Sequence, residues 1–214
     1  MTKNIIGIFS HPQAVLIDND FLATLEKREF ISAFGEIVKH AIIFDPKYFK
    51  MLENIDNYED KNEIGKIIEH SLKIKKYAVE KDFKENNIRK LLNFEHIIGY
   101  VIETLAMKTE NPLLYSEAVA NGMVIEWKIA EKLNMFLPTE TEKIVQLLNK
   151  CEFKDELKLK FNFKIEDILN IIKKDKKNIS GAVKMSLPIR IGKSKYNVEV
   201  SPEVIVDCVK SVLV

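Results

Sequence analysis

The chain has 214 residues, 46% of them hydrophobic, with 33 Lys+Arg against 32 Asp+Glu and a formal net charge of +1. That balance excludes the basic footprint of a nucleic-acid or anionic-membrane partner, and no apolar run approaches the roughly 20 residues that span a bilayer. Seven glycines, none closer together than Gly181 and Gly192, exclude the glycine-clustered dinucleotide and phosphate loops, where only glycine lets backbone approach a phosphate.

In chain order, "NIIGIFSHPQAVLID" reads as two short strands, near 4–9 and 14–17, around a Pro-marked turn. Its apolar part is too short for a secretory h-region and lacks a small-residue cleavage site. A helix begins near Arg28, carries "EFISAFGEIVKHAII" and is broken by Asp45-Pro46. "PKYFKMLEN" is a short helix. "NEIGKIIEHSLKIKKYAVEKD" is a long one, with Ile64, Ile68, Leu72 and Val79 on its apolar stripe. Lys75 lies on that stripe, where a lysine must snorkel, pair with an acid or reach an anion.

"NNIRKLLNFEHIIGYVIETLAM" reads as the next helix. Arg89, Asn93, His96, Tyr100 and Glu103 recur at spacings of four and three, on one face. That face is either solvated or one wall of a site. Asn111-Pro112 opens a helix whose seam is Ala118, Gly122, Ile125, Ile129 and Leu133. "PTETEKIVQLL" offers Thr139 and Glu142 as a capping box. "KIEDILNIIKKDKKN" is amphipathic and runs into a lysine cluster. "VKMSLPIRIGKSKYNVEV" alternates and turns as a β-hairpin. Ser201-Pro202 supplies an N-cap and first helical residue for "PEVIVDCVKSVL".

The expected fold is mainly α with a minor β component, its first twenty residues distinct in character. Cys151 and Cys208 form no CxxC pair, which points to a reducing compartment and a cytoplasmic location. Glu36 and Lys39, one turn apart, form either a helical ion pair or, through Glu36, part of a metal site.

Five ordered segments carry a resemblance. "KNIIGIFSHPQAVLIDNDFLATLEKREF", "GEIVKH", "NNIRKLLNFEHIIGYVIE", "LLYSEAVANGM" and "KKDKKNISGAVKMSLPIRIG" together resemble the C-terminal part of dehydroquinate synthase, a sugar-phosphate cyclase of the shikimate pathway. The resemblance implies residues 1–20 as the remnant of a Rossmann-like NAD-binding domain and 21–214 as a helical metal- and substrate-binding domain. It implies a reaction in which Zn²⁺ holds vicinal oxygens of a seven-carbon sugar phosphate. NAD⁺ transiently oxidises one hydroxyl, phosphate is eliminated, and the ring closes to dehydroquinate.

By the same resemblance Glu36 and His96 stand at two zinc-ligand positions. Lys39, Lys75, Arg89 and Asn93 stand where the family binds and works on the anionic substrate. Lys3 and Asn4 match a pair at the nucleotide–substrate junction, with Asn4 toward NAD, and Lys176 or Lys177 matches a substrate-binding lysine. Five positions depart from the pattern, among them Thr2, which stands where the family's first segment opens with glycine. Tyr115 replaces the third zinc ligand, a histidine. Tyr100 replaces a proton-transferring histidine. Glu95 and Ser116 replace glycines.

The expectation is therefore a dehydroquinate-synthase-like chain that lacks most of the NAD site, holds zinc weakly or not at all, and does not complete catalysis alone. Two alternatives are half of a split enzyme served by a separate NAD-binding chain, and a non-catalytic module that binds an anionic ligand or acts as a scaffold. A homodimer is a further expectation, since stranded β-remnants leave an open edge.

Overall fold

The computed structural model describes residues 12–107, 113–153, 165–174 and 182–213. Helix α1 spans Lys27–Phe44, and the chain breaks at Asp45 as the Asp-Pro pair predicts. The Asp45 carboxylate accepts from the backbone of Lys47 at 2.8 Å and of Tyr48 at 3.2 Å. It thereby caps α2, Pro46–Glu53, which has proline at its first position. Helix α3, Lys61–Lys81, is capped in the same way by Asp60. Then follow α4 (His96–Ala106), α5 (Tyr115–Lys132), α6 (Pro138–Lys150) and α7 (Ile165–Lys174).

Helix α5 is the axis of the molecule. Of the expected seam, Ala118, Gly122, Ile125 and Ile129 are buried while Leu133, the C-cap, is half-buried, and Val119, Met123 and Trp127 are buried on the other sides. It packs on α1, on α4, on β1 (Val183–Arg190) and on α8 (Pro202–Leu213). Glycine permits the closest of these approaches. A Cβ on Gly122 would lie 2.7 Å from the Gly99 nitrogen and 2.9 Å from the Glu95 oxygen, both backbone atoms of the α4 turn. A Cβ on Gly35 would meet the Ser116 carbonyl at 2.6 Å. Helices α4 and α1 can lie this close to α5 only without side chains at those points.

The expected hairpin is present. Strand β1 pairs antiparallel with β2, Lys193–Val200, from Val183↔Val200 to Arg190↔Lys193, with two register shifts. Gly192 turns it at φ +81°, a left-handed conformation suited to glycine, and donates to the Ile42 carbonyl at 2.8 Å. Ser186 Oγ donates to the Lys90 carbonyl at 2.7 Å, so the hairpin supports the chain just before α4. The Ser201 hydroxyl accepts from Val204 N at 3.5 Å at the start of α8. Cys151 and Cys208 are buried free thiols. Among the described residues no helix is long and apolar enough to cross a membrane.

Several expectations change. Residues 14–17 form no strand, with Val15, Leu16 and Ile17 exposed. A strand requires a partner, and the described sheet is the hairpin alone. Residues 4–9, like Asn111 and Pro112, lie outside the described residues, but the helix expected to open at Asn111-Pro112 begins only at Tyr115, because Leu114 is still extended. The helix expected through "RKLLNFEHIIGYVIE" is two elements, a 3-10 turn Ile88–Asn93 and then α4. Between them Glu95 adopts φ +74°. The buried seam of α3 is Ile64, Ile67, Ile74 and Ala78, one residue off the predicted stripe beyond Ile64, so Lys75 is exposed and needs no snorkelling. Thr139 caps nothing, because α6 already begins at Pro138.

Candidate functional site

Glu36, Lys39 and His40 share one turn of α1, on the side that meets the starts of α4 and α5. Lys39 is 2% exposed. Its Nζ lies 2.8 Å from Glu36 Oε2 and 3.4 Å from Oε1 of Glu95, a carboxylate that is itself 1% exposed. A buried ammonium persists only when paired, and here two carboxylates flank it. Burial alone would raise the Glu36 carboxyl. The charge and hydrogen bond of Lys39 outweigh that and hold it below the usual range, with His40 and His96 adding to the effect. His96 thus lies close enough to Glu36 for its charge to act on that carboxyl.

Glu95 organises the entry to α4. Its backbone N–H donates to Glu126 Oε2 at 2.9 Å, and the Ile98 N–H is directed at Glu126 Oε1 at 3.4 Å. The fully buried Glu126 carboxyl therefore closes the N-terminus of α4, where free N–H groups need acceptors. Burial pushes that carboxyl well above its ordinary range, and the nearby Glu95 charge adds to the push. The side chain of Glu95 turns to the site, with Oε1 2.6 Å from His96 Nδ1.

His40 Nδ1 lies 2.6 Å from Ser71 Oγ on α3. Burial first, then the Lys39 charge, lower it to about 4, with Lys75 adding to the effect and Glu36 opposing. Lys75 is therefore near this cluster even though it is exposed. Arg89 and Asn93 are held elsewhere. The Arg89 guanidinium donates to the Phe83 carbonyl at 2.8 Å, and Asn93 Nδ2 to Glu85 Oε1 at 2.6 Å. Asp82 shapes the same loop by accepting from the backbone of Asn86, Asn87 and Arg89. The single polar face is thus split. Arg89 and Asn93 bond within the 82–93 loop, His96 meets Glu95, Tyr100 is exposed and Glu103 is buried. Lys3, Asn4, Lys176 and Lys177 lie outside the described residues.

Tyr115 occupies the third position expected of a metal ligand. Burial raises its phenol, and the surrounding Glu36, Glu95 and Glu103 raise it further, including through a hydrogen bond to Glu36. Phenol coordinates poorly until it loses its proton, and this environment keeps the proton on. The donor set is then Glu36 and His96, with Glu36 already accepting from Lys39 and hydrogen-bonded to Tyr115. Among the described residues no group of three His, Cys, Asp or Glu side chains could hold a metal. These residues do not fit a catalytic zinc, which takes three protein ligands.

Several participants were missed in the sequence. Arg28 holds the buried Glu117 by two hydrogen bonds, and Glu117 accepts from Leu114 N at 2.7 Å, which fixes the start of α5 beneath Tyr115. The available signal was Glu117 and Glu126 in a helix otherwise buried along its length. A cleft of about 480 Å³ lies elsewhere, lined by Asn19, Leu22, Leu25, Phe30, Lys61 and Ile64 among others, and none of its lining residues belongs to the Glu36–Glu95 cluster.

Comparison with known proteins gives a consistent result. The family profile described as 3-dehydroquinate synthase C-terminal matches residues 33–178, and that described as 3-dehydroquinate synthase N-terminal matches residues 1–32. The 3-dehydroquinate synthase of Dictyoglomus turgidum is 37% identical over 97% of this chain and 58% of its own length. That of Thermodesulfovibrio yellowstonii is 39% identical over 94% of this chain and 56% of its own. The chain thus spans little more than half the length of these relatives. Among solved structures, a 2-deoxy-scyllo-inosose synthase complexed with carbaglucose-6-phosphate, NAD+ and Co2+ superposes at TM-score 0.79 and 20% identity, over 98% of this chain and 59% of that one. The 2-epi-5-epi-valiolone synthase of Streptomyces hygroscopicus subsp. jinggangensis, with NAD+ and Zn2+ bound, superposes at 0.76 and 20%, over 91% of this chain and 54% of that one.

Proposed function

This chain belongs to the 3-dehydroquinate synthase family, and from that premise we propose that it keeps the family's substrate side in altered form. It binds a small anionic sugar phosphate but does not, as this 214-residue chain alone, convert it to dehydroquinate. The observation that carries this reading is Tyr115. A phenol that stays protonated and is hydrogen-bonded to Glu36 stands at the position to which the resemblance assigns a third metal ligand. Exposed Lys75, and half-buried Arg89 on the 3-10 turn that packs against α3, attract phosphate and carboxylate through charge-assisted hydrogen bonds. Tyr100 is a second loss, because a phenol shuttles protons near pH 7 less well than imidazole.

The test is phosphate release from the seven-carbon sugar phosphate with NAD⁺ and Zn²⁺ supplied. The expected result is no release above the buffer blank. Release that depends on NAD⁺ and disappears in Lys75→Ala overturns the reading. Anion binding is read separately as a rise in Tm with inorganic phosphate, by mass action. The rise should be smaller in Lys75→Ala and Arg89→Ala than in the exposed control Lys143→Ala. Equal responses in all three exclude a site at these residues.

A second reading, a split enzyme whose NAD-binding part is another chain, is supported by one observation. Val15, Leu16 and Phe21 are 72%, 97% and 77% exposed and sit within or beside the segment matched by the N-terminal profile. Exposed apolar side chains in a row mark a surface that another element covers. Mass measurement in solution separates the outcomes. A monomer that gains NAD⁺-dependent activity only with a second polypeptide supports the split enzyme, and a stable dimer of this chain supports self-association there.

A further inference from the structure

Glu95 stands out among the buried residues. It adopts a left-handed backbone at φ +74°, which costs a non-glycine residue about 1–2 kcal/mol. Such strain persists only where the surroundings over-determine it. Here they do so from three directions. The Glu95 N–H is held by Glu126, its side chain is flanked by Lys39 Nζ at 3.4 Å, and Oε1 lies 2.6 Å from His96 Nδ1.

The contact with His96 has a definite polarity. A second acceptor, the Phe94 carbonyl, faces the same nitrogen at 3.4 Å. With two acceptors and no donor at Nδ1, that nitrogen must carry the ring proton. Nε2 of a neutral ring then holds the lone pair, on a side chain 40% exposed. The strained backbone is what allows this. It starts α4 at His96 while turning the preceding carboxylate back under the ring.

We propose that Glu95 is a positioning residue that fixes His96 in the Nδ1–H tautomer, so that the half-exposed ring offers Nε2 as a hydrogen-bond or proton acceptor to a hydroxyl-bearing ligand. Lys39 anchors the carboxylate between itself and the imidazole, and the carboxylate–imidazole pair orients the ring without a metal. The resemblance puts a glycine at this position, and the arrangement then belongs to this chain's departure from it. The inference goes beyond the proposed function and is independent of turnover, since it concerns the ligand-free chain.

The test is the ¹⁵N–¹H two-bond correlation spectrum of the imidazoles at pH 8 in the whole chain without ligand, with His96 assigned by its absence in His96→Gln. Only four histidines compete for assignment. The expected wild-type pattern is the Nδ1–H tautomer, shifting substantially toward the Nε2–H form in Glu95→Gly. Glycine accepts φ +74° without strain, and Glu95→Asn, which also tolerates the left-handed region, serves if the glycine variant does not fold. A wild-type ring that is Nε2–H or protonated on both nitrogens overturns the proposal. So does a tautomer unchanged in both folded variants. None of these outcomes depends on phosphate release or on the response of Tm to phosphate.

Discussion

The guanidinium of Arg28, at the start of α1, holds the buried carboxylate of Glu117, at the start of α5, through hydrogen bonds of 2.6 Å from Nε and 2.8 Å from Nη2. Glu117 is fully buried, whereas the Arg28 side chain is half exposed. Removing one partner of such a pair leaves a charge in a poorly solvating place, while removing both does not. Arg28→Ala should therefore cost roughly 2–3 kcal/mol, below the full buried-pair value because water reaches Arg28. Arg28→Ala/Glu117→Gln should recover part of that loss. Urea denaturation of the two single variants and the double variant checks it, and strict additivity would remove the coupling.

Stability should fall on mild acidification because of His40. Its folded value of about 4 lies below the ordinary imidazole value, which is about 6.5. Between those limits the unfolded chain takes up a proton that the folded chain refuses, so unfolding gains. The His40 contribution is intact above about pH 6.5, is lost progressively down to about pH 4, and amounts at most to roughly 3 kcal/mol. Tm measured from pH 7.5 to pH 4 should show this slope, and His40→Gln should flatten it in that window. A slope unchanged in the variant would assign the titration to other groups.

Two helix glycines should respond in opposite directions. Gly122→Ala puts a methyl 2.7–2.9 Å from the α4 backbone, which cannot yield locally, so the helices must part at a cost of about 1–3 kcal/mol. Gly65→Ala meets only the Asn19 side-chain nitrogen, at 3.3 Å, and gains helix propensity of up to about 1 kcal/mol. Thermal unfolding of the two variants should bracket the wild type. A neutral Gly122→Ala would mean that α4 and α5 do not cross so closely.

Zinc content tests the Tyr115 argument. After dialysis the wild type should carry well under one zinc per chain. Tyr115→His supplies an imidazole to join Glu36 and His96 and should tighten binding by at least about tenfold, since each ligand and its support weighs that much or more. Unchanged affinity would show that the three positions no longer converge.

The helices, the hairpin and the order of the family's segments were legible in the sequence because each rests on local signals. Asp45-Pro46 and Ser201-Pro202 mark helix starts whatever surrounds them, and the alternation of residues 183–200 suits one conformation. The tertiary structure alone decided the rest. Residues 14–17 have the composition of a strand, but pairing needs a second strand that sequence cannot place. The seam of α3 could follow Ile68, Leu72 and Val79 or Ile67, Ile74 and Ala78, since both rows are apolar at helical spacing, and packing chose the latter. The break at Glu95 carries no local mark, because glutamate ordinarily avoids the left-handed region. The close approach at Gly99 and Gly122 and the buried Glu126 impose it, from a helix some thirty residues away. The one-faced array of Arg89, Asn93, His96 and Tyr100 rested on an uninterrupted helix. The long-range contact that bends the chain at Glu95 divides that array and brings Glu95, rather than Arg89 or Asn93, into contact with Lys39 and His96.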